Sequence, residues 1–170
     1  KEERLREVLE NALVASYKRN LRSDTYDYLS PVFARVTGYT PAEMISFAVD
    51  QVLDLIHPDD QAEIEQVIAR SMAGPAGAEY RVDYRFRHKD GHYRWLRDKF
   101  TVVHDEQDRP AARIGSVSDI TERKQAEAAL RESEEKYRAI FNNERYAIGI
   151  YDPTISQLLD VNETFVRMYG

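Results

Sequence analysis

The side chains that could do chemistry gather at four places. His57 precedes Pro58-Asp59-Asp60, a base beside two carboxylates, which is the composition of a proton-transfer couple or of a ligand set. The competing role is capping, in which Asp59 or Asp60 supplies acceptors to the first turn of a helix and favours its positive end, and the chain is read that way. His88 and His92 flank Asp90-Gly91. On opposite strands beside a two-residue turn they point to opposite faces, which argues against a shared metal ion. Arg81, Arg85, Arg87, Arg94 and Arg97 have the charge for an anion site, although on the outer face of a hairpin such residues are more often solvated. In Asp119-Ile120-Thr121, Thr121 is placed to cap a following helix while Asp119 pairs with an Arg such as Arg123 or Arg97. Cysteine is absent, which removes thiolate nucleophiles, sulfur metal sites and disulfides together. There is no Gly-rich phosphate loop, no Ser elbow and no pair of carboxylates at working spacing, so an enzyme is the least supported class.

The elements that position these residues can be read from periodicity. Residues 80–86 alternate apolar and charged, and Asp90-Gly91 is the commonest two-residue hairpin signal. That turn sets Lys89 opposite His92 and Phe86 opposite Trp95, an aromatic pair on one face whose loss is expected to destabilise by about 3–5 kcal/mol. A second turn over residues 105–110 leads into a third strand, 111–120. Strict alternation from the two-residue turn then drives Arg97 and Lys99 inward and Phe100 and Val102 outward. A small core does not tolerate two such charges, so either a bulge lies between Trp95 and Phe100 or the turn is longer. Upstream, residues 13–21 and 25–29 form a hairpin around residues 22–24. Ser30-Pro31 reads as N-cap and N1 of a short helix ended by Gly38, and Thr40-Pro41 with Glu43 starts another. Residues 49–56 read as a buried helical stretch, and 59–72 as a helix with Ile64, Val67 and Ile68 on its core stripe and Met72 at its end. Gly74-Pro75-Ala76-Gly77 breaks it.

Tyr84-Arg85-Phe86-Arg87-His88-Lys89-Asp90-Gly91, then Tyr93-Arg94-Trp95, then Gly115-Ser116-Val117-Ser118-Asp119-Ile120-Thr121-Glu122-Arg123-Lys124 resembles the C-terminal part of a PAS domain, its PAC motif. Ser30-Pro31-Val32-Phe33, Gly38-Tyr39-Thr40 and His57-Pro58-Asp59-Asp60 resemble the N-terminal half, so the likeness covers residues 10–124. It implies an α+β fold, a five-stranded antiparallel sheet with helices on one face, used as a signal-input module. The subtype is that of multi-domain sensors such as histidine kinases and nucleotide cyclases. It further implies that Tyr17, Tyr28, Phe33, Ile64, Ile68, Tyr84, Phe86 and Gly115 are candidates to line a small-molecule pocket, with Ala15, Ser16 and Ser116 leaving room. Trp95, Asp119, Thr121 and Arg123 are candidates to hand a signal to the output helix. The missing cysteine removes a photochemical flavin adduct and a thioester-linked chromophore. The absence of His from helix 59–72 disfavours haem, so no covalent or coloured cofactor is expected and an uncoloured small ligand stays open.

The organisation follows. A displacement of 132 positions lays Arg6 over Arg138, Asn11 over Asn143, Ala15 over Ala147, Phe33 over Phe165, Arg35 over Arg167 and Gly38 over Gly170. The chain is therefore read as a connector helix over 1–12, a PAS domain over 13–121, a connector over 122–143 and the incomplete opening of a second PAS repeat over 144–170. Within the connector, Ala126, Leu130, Ser133, Tyr137 and Ile140 recur at the a/d rhythm of a coiled coil over roughly 30 Å. This predicts a parallel homodimer that passes the signal to an effector further along the same chain, a histidine kinase first and a diguanylate cyclase second. A ligandless dimerisation or interaction module is the competing class. Net charge is −6 and the basic residues are spread out, so nucleic acid is not an expected partner. No apolar run reaches membrane-span length. The segment is expected in the cytoplasm, touching no membrane itself, with anchoring of its parent left open.

Overall fold

The computed structural model describes residues 14–143 and 145–170. The connector helix expected over 1–12 lies outside the described residues. The chain divides into two compact units, Lys1–Glu122 and Arg123–Gly170.

In the first unit β1 (Val14–Asn20), β2 (Thr25–Leu29), β3 (Glu79–Arg87), β4 (Tyr93–His104) and β5 (Pro110–Asp119) form one antiparallel sheet in the order β2-β1-β5-β4-β3. Between β2 and β3 run α1 (Phe33–Thr37), α2 (Pro41–Ser46), α3 (Val49–Leu53) and α4 (Pro58–Ala73). These helices cover one face: Phe33, Val36, Met44, Ile64 and Val67 bury themselves against Tyr17, Val82, Phe86, Leu96, Phe100 and Val117 of the sheet. That is the five-stranded α+β architecture expected.

The helix starts show which signals are local. At α2 the Thr40 hydroxyl accepts from the Glu43 N–H at 3.3 Å and the Glu43 carboxylate accepts from the Thr40 N–H at 2.9 Å, a reciprocal cap written within four residues. Ser30 does not cap α1, whose N-cap position is Val32. Its hydroxyl instead accepts from the Ser16 N–H at 3.0 Å, and its own N–H donates to the Ser16 carbonyl at 2.9 Å. At α4 the cap is His57 Nδ1, which accepts from the Asp59 N–H, because Asp60 is committed to Arg85. The helix expected over 49–56 stops at Leu53. Ile56 bridges to Phe86 instead, and the His57 N–H donates to the Arg85 carbonyl at 2.9 Å.

The β3–β4 connection settles the inward and outward faces. Arg87 pairs with Tyr93 and Arg85 with Trp95, one residue out of step with the two-residue turn, and the pairing runs unbroken from Trp95 to Phe100. The longer turn, not the bulge, is what the chain uses. The His88 N–H donates to the His92 carbonyl at 2.9 Å, while the Lys89 N–H, which a two-residue turn would direct across the hairpin, donates to the Thr37 carbonyl at 3.1 Å. The turn opens because it docks on the end of α1. Gly38 permits the approach: it holds φ +79°, and a Cβ there would lie 2.7 Å from the His88 ring and the Lys89 Cβ. Leu96, Asp98, Phe100 and Val102 consequently point inward and are buried. Trp95 shares the outer face with Arg85, whose guanidinium lies 5.4 Å from the indole centroid, and does not pair with Phe86.

Helix α5 (Thr121–Asn143, 23 residues) leads into the second unit, where β6 (Gly149–Asp152) and β7 (Gln157–Val161) pair and α6 (Glu163–Tyr169) follows. On α5, Leu130, Tyr137 and Ile140 are exposed. Gly149 pairs with Val161, Ile150 with Asp160, Tyr151 with Leu158 and Asp152 with Gln157, with the register slipping between Ile150 and Tyr151. Displaced by the 132 positions of the sequence repeat, this is the β1–β2 register, including its slip between Lys18 and Arg19. The Asn162 N–H donates to the Ile148 carbonyl and the Asn162 carboxamide oxygen accepts from the Ile148 N–H, matching Ser30 on Ser16. Positive φ recurs at Asp24 and Ser156 and at Gly38 and Gly170.

Among the described residues no helix is long and apolar enough to cross a membrane.

Candidate functional site

Between the sheet and α1–α4 lies a cavity of about 330 Å³. Its walls are largely apolar: Phe33, Met44, Leu53, Ile56, Ile64, Ile68, Val82 and Leu96 contribute, and the exposed Asp24 and Met72 stand on its lining. Into this surface three strands of the sheet set a polar row of Tyr17, Asp98 and Arg113, with Tyr84 and Tyr26 beside it.

The row is built across strands. Gly115 pairs with Tyr17 on one side and Phe100 on the other, and a Cβ on it would fall 2.8 Å from the Tyr17 Cζ and 2.7 Å from the Phe100 Cβ. Without that Cβ, the Tyr17 ring lies across β5 and its hydroxyl donates to both carboxylate oxygens of Asp98 at 3.0 Å. Burial pushes the Asp98 carboxyl up to about 6, against the lowering influence of Arg113 and the Tyr17 hydrogen bond. Burial likewise raises the Tyr17 and Tyr84 phenols well above their usual range, with the Asp98 charge adding to it. The Arg113 guanidinium lies 5.6 Å from the Tyr17 ring centroid and 5.0 Å from that of Phe100. Its Nε is buried without a hydrogen-bond partner. Burial works against its charge, and the nearby Tyr17 and Asp98 more than offset this.

Of the residues singled out from sequence, Tyr17, Phe33, Ile64, Ile68, Tyr84 and Phe86 stand on the cavity wall. Tyr28 does not: it pairs with Lys18 near the sheet edge and is half exposed. Gly115 supports the wall from beneath Tyr17. Asp98 and Arg113 were not foreseen. The parity of Leu96, Phe100 and Val102 carries the signal for Asp98, since any register that buries those three buries Asp98 with them. For Arg113 the hydrophobic pattern misleads, because its neighbour Ile114 is the exposed residue.

Next to Leu96 on β4, Trp95 meets the end of β5 and the start of α5. The Trp95 N–H donates to the Thr121 hydroxyl at 2.9 Å, and the Ile120 N–H donates to the Trp95 carbonyl at 2.8 Å. The Asp119 carboxylate accepts from the Thr121 N–H at 2.8 Å, and its ion-pair partner is Arg94 at 3.8 Å. Thr121 thus ties β4 to the first residue of α5 instead of capping the helix with its own hydroxyl. Arg97 pairs with Asp83 at 2.7 Å and Arg123 with Glu127 at 2.7 Å, so neither holds Asp119. Trp95, Asp119 and Thr121 come together; Arg123 stands on the exposed helix surface.

Several of the other charged groups pair with one another. Asp60 accepts from the Arg85 backbone N–H at 2.8 Å and from its guanidinium at 2.7 and 2.9 Å, which holds the Asp60 carboxyl below the usual carboxylate range. His88 and His92 both turn toward Asp90, at 2.9 and 3.4 Å, and not to opposite faces. No three His, Asp or Glu among the described residues are disposed to hold a metal ion.

Comparison with known proteins gives one family match, to the PAS fold, over residues 26–117. The sensor histidine kinase TmoS of Ectopseudomonas mendocina is 29% identical over 107 residues, 63% of this chain and 11% of that protein. The two-component sensor PprA of Pseudomonas aeruginosa is 26% identical over 164 residues, 95% of this chain and 17% of that protein. The chain therefore spans under a fifth of the length of these relatives. Among solved structures, a sensory box histidine kinase/response regulator from Burkholderia thailandensis E264 superposes with a TM-score of 0.65 at 29% identity, covering 80% of this chain and 98% of that one.

Proposed function

The chain belongs to the PAS fold family, and from that premise we propose that its first unit is the sensory input of a longer signalling protein. In this reading it holds a small molecule in the cavity between sheet and helices and passes the bound state into α5. The observation that carries the reading is the double use of β4. Leu96 and Asp98 line the cavity, and Trp95, next to Leu96 in the chain, donates its N–H to Thr121 at the start of α5. A shift of β4 on occupancy moves the helix start with it, and a two-state element biased by one ligand needs no more than that.

The same proposal makes α5 a dimeric connector. Ala126, Leu130, Ser133, Tyr137 and Ile140 keep the a/d rhythm, and the last two with Leu130 are exposed. The second unit is then the opening of a second repeat of the same fold. The shared register, the shared slip and the Asn162–Ile148 contacts support that reading. The effector of the parent is a histidine kinase, in keeping with the names of its relatives.

Native mass spectrometry of the purified chain tests both halves. The expected result is a retained small molecule and dimers that grow with concentration. A chain that stays monomeric at high concentration, in a parent whose output ignores a one-residue insertion at Glu132, overturns the connector. A cavity that retains nothing and binds nothing overturns the sensory reading.

A further inference from the structure

Most cationic side chains that meet the sheet of the first unit are matched by carboxylates. Arg19 is held by Asp24 at 2.6 Å, Arg85 by Asp60 at 2.7 Å, Arg94 by Asp90 at 2.9 Å and Arg97 by Asp83 at 2.7 Å. Arg113 is not treated in this way. It lies on the cavity wall with two aromatic rings as neighbours and a buried Nε that has no hydrogen-bond partner. A buried donor left unsatisfied in this manner calls for an acceptor, and for a guanidinium the matching acceptor is an oxyanion.

Asp98 does not fill that role. The Tyr17 ring carries Arg113 near its face and delivers its hydroxyl to both Asp98 oxygens. The carboxylate is thus engaged at the far end of the same ring, and no ion pair joins it to Arg113 among the described residues. Its presence also limits what can enter. A dianion would meet Asp98 as well as Arg113, so a single negative charge suits the row better than a phosphate or a dicarboxylate. The remaining wall, from Phe33 and Met44 through Ile64 and Ile68 to Leu96, is apolar and asks for an apolar body. A volume of about 330 Å³ stands at the small end of the range for ligand pockets, which suits a compact body such as a single ring or a short chain.

We propose that the cavity binds a small monocarboxylic acid with an apolar, ring-sized body, its carboxylate accepting from the Arg113 guanidinium. This rests on the sensory reading above and adds the chemical class of what is sensed. Bound in this way, the acid completes the hydrogen bonding of Nε and lays its ring against Phe100 and the helices. Arg113 stands on β5 paired with Val102 of β4, so the anion is held beside the strand that also contacts α5.

The test uses the whole chain and three probes that share one body: benzoate, benzyl alcohol and benzylamine. Binding is followed by calorimetry and by thermal shift, on the natural sequence and on Arg113→Gln and Arg113→Lys. The expected result is benzoate binding roughly tenfold or more tighter than benzyl alcohol, with benzylamine weakest. Arg113→Gln should lose the preference for benzoate and keep binding of the alcohol, and Arg113→Lys should restore it in part. Equal binding of benzoate and benzyl alcohol by the natural chain overturns the carboxylate assignment and leaves the sensory cavity standing. That comparison needs no variant and holds even if a substitution prevents folding. Unchanged benzoate affinity in a folded Arg113→Gln overturns it too. If no probe of any charge binds and native mass spectrometry finds no retained molecule, the sensory reading itself has failed and this assignment goes with it.

Discussion

Two hairpins of this chain have one design and two fates. β1–β2 and β6–β7 share their register, their slip, their positive-φ turn residue and the backbone-and-side-chain contacts of Ser30 on Ser16 and of Asn162 on Ile148. Yet Val36 of α1 is 2% exposed while Met168, its counterpart in α6, is 63% exposed. The difference is cover. β1 pairs on its second edge with β5, whereas β6 pairs with β7 alone among the described residues. Local hydrogen bonding therefore sets the geometry of the hairpin, and burial is supplied by the rest of a sheet.

That separation predicts where substitutions hurt. Leu96→Ala removes a side chain that is 1% exposed and should destabilise the first unit by about 2–5 kcal/mol. Leu158→Ala, at the half-exposed position matching Tyr26, should change stability by no more than about 0.5 kcal/mol. The two units can be followed separately in the intact chain. The single Trp of the sequence is Trp95, so its fluorescence reports the first unit in denaturant, while amide exchange of residues 149–161 reports the second. Equal losses at the two sites would mean that the two units bury their side chains alike.

Asn162 breaks the likeness in the other direction. Ser30 offers one hydroxyl, whereas the Asn162 carboxamide accepts from the Ile148 and Phe165 N–H groups and donates to the Phe141 and Tyr146 carbonyls, all at 2.9 Å. It is fully buried. In a unit with little apolar cover this one side chain joins helix, hairpin and cap. Asn162→Ala should cost about 3 kcal/mol, enough to bring residues 149–161 to near-unprotected amide exchange, against about 1 kcal/mol for Ser30→Ala in the first unit.

The same distinction explains what could be read in advance. Thr40-Pro41 with Glu43 and the Gly38 terminus were legible because donor and acceptor lie within one turn of chain. The number of strands and their order of appearance were legible because alternation is local too. The faces of β4 were not, since the width of its turn is decided by the Thr37 carbonyl, supplied by a different element. Trp95 was consequently placed in the core beside Phe86 when it lies against Arg85 outside it. Its partial exposure lowers the expected effect of Trp95→Ala to about 1–2 kcal/mol. Asp60 was read as a cap because the sequence gives no sign that Arg85 will reach it. Most of the apolar pocket lining was visible, and its charged half was not. Asp98 was hidden because a bulge and a longer turn were both open, and Arg113 by sitting inward beside an outward Ile114.

Proton linkage should run with opposite sign at one carboxylate of each unit. In the first, burial raises the Asp98 carboxyl to about 6, above the roughly 3.9 of an unfolded Asp. The folded state then holds more protons than the unfolded one between these values, so this group's contribution to stability falls as pH rises from about 4 to 6 and stays unfavourable above. Asp98→Asn should therefore stabilise the unit at pH 7 by about 1–3 kcal/mol and flatten that slope, provided Tyr17 keeps its bond to the amide oxygen. In the second unit Asp152 is shifted the other way, lowered by accepting from the Thr154 hydroxyl and N–H. Its contribution is present at neutral pH and fades on acidification. Unfolding of the natural chain and Asp98→Asn at pH 4.5, 6 and 7.5, read at Trp95, checks the first. A variant with the natural pH slope would mean that Asp98 titrates normally.

The smallest effect tests the turn that the hairpins share. Asp24 at φ +54° and Ser156 at φ +53° hold the same left-handed position, where Asp is tolerated better than Ser and Gly best of all. At Ser156 relief of that backbone cost is partly offset by the greater freedom Gly gives the unfolded chain. Ser156→Gly should therefore stabilise the second unit by about 0.5 kcal/mol. At Asp24 the same change also removes a carboxylate that accepts from Arg19 Nε at 3.0 Å and from its terminal nitrogen at 2.6 Å. Arg19 is on the cavity lining, and deprived of that partner it becomes a second cation facing the space beside Arg113. Asp24→Gly should leave the stability of the first unit unchanged or slightly lower, while slower exchange at residues 149–161 marks the gain in the second. A gain of equal size in both would show that the Arg19–Asp24 pair contributes nothing, and that the two turns differ in sequence alone.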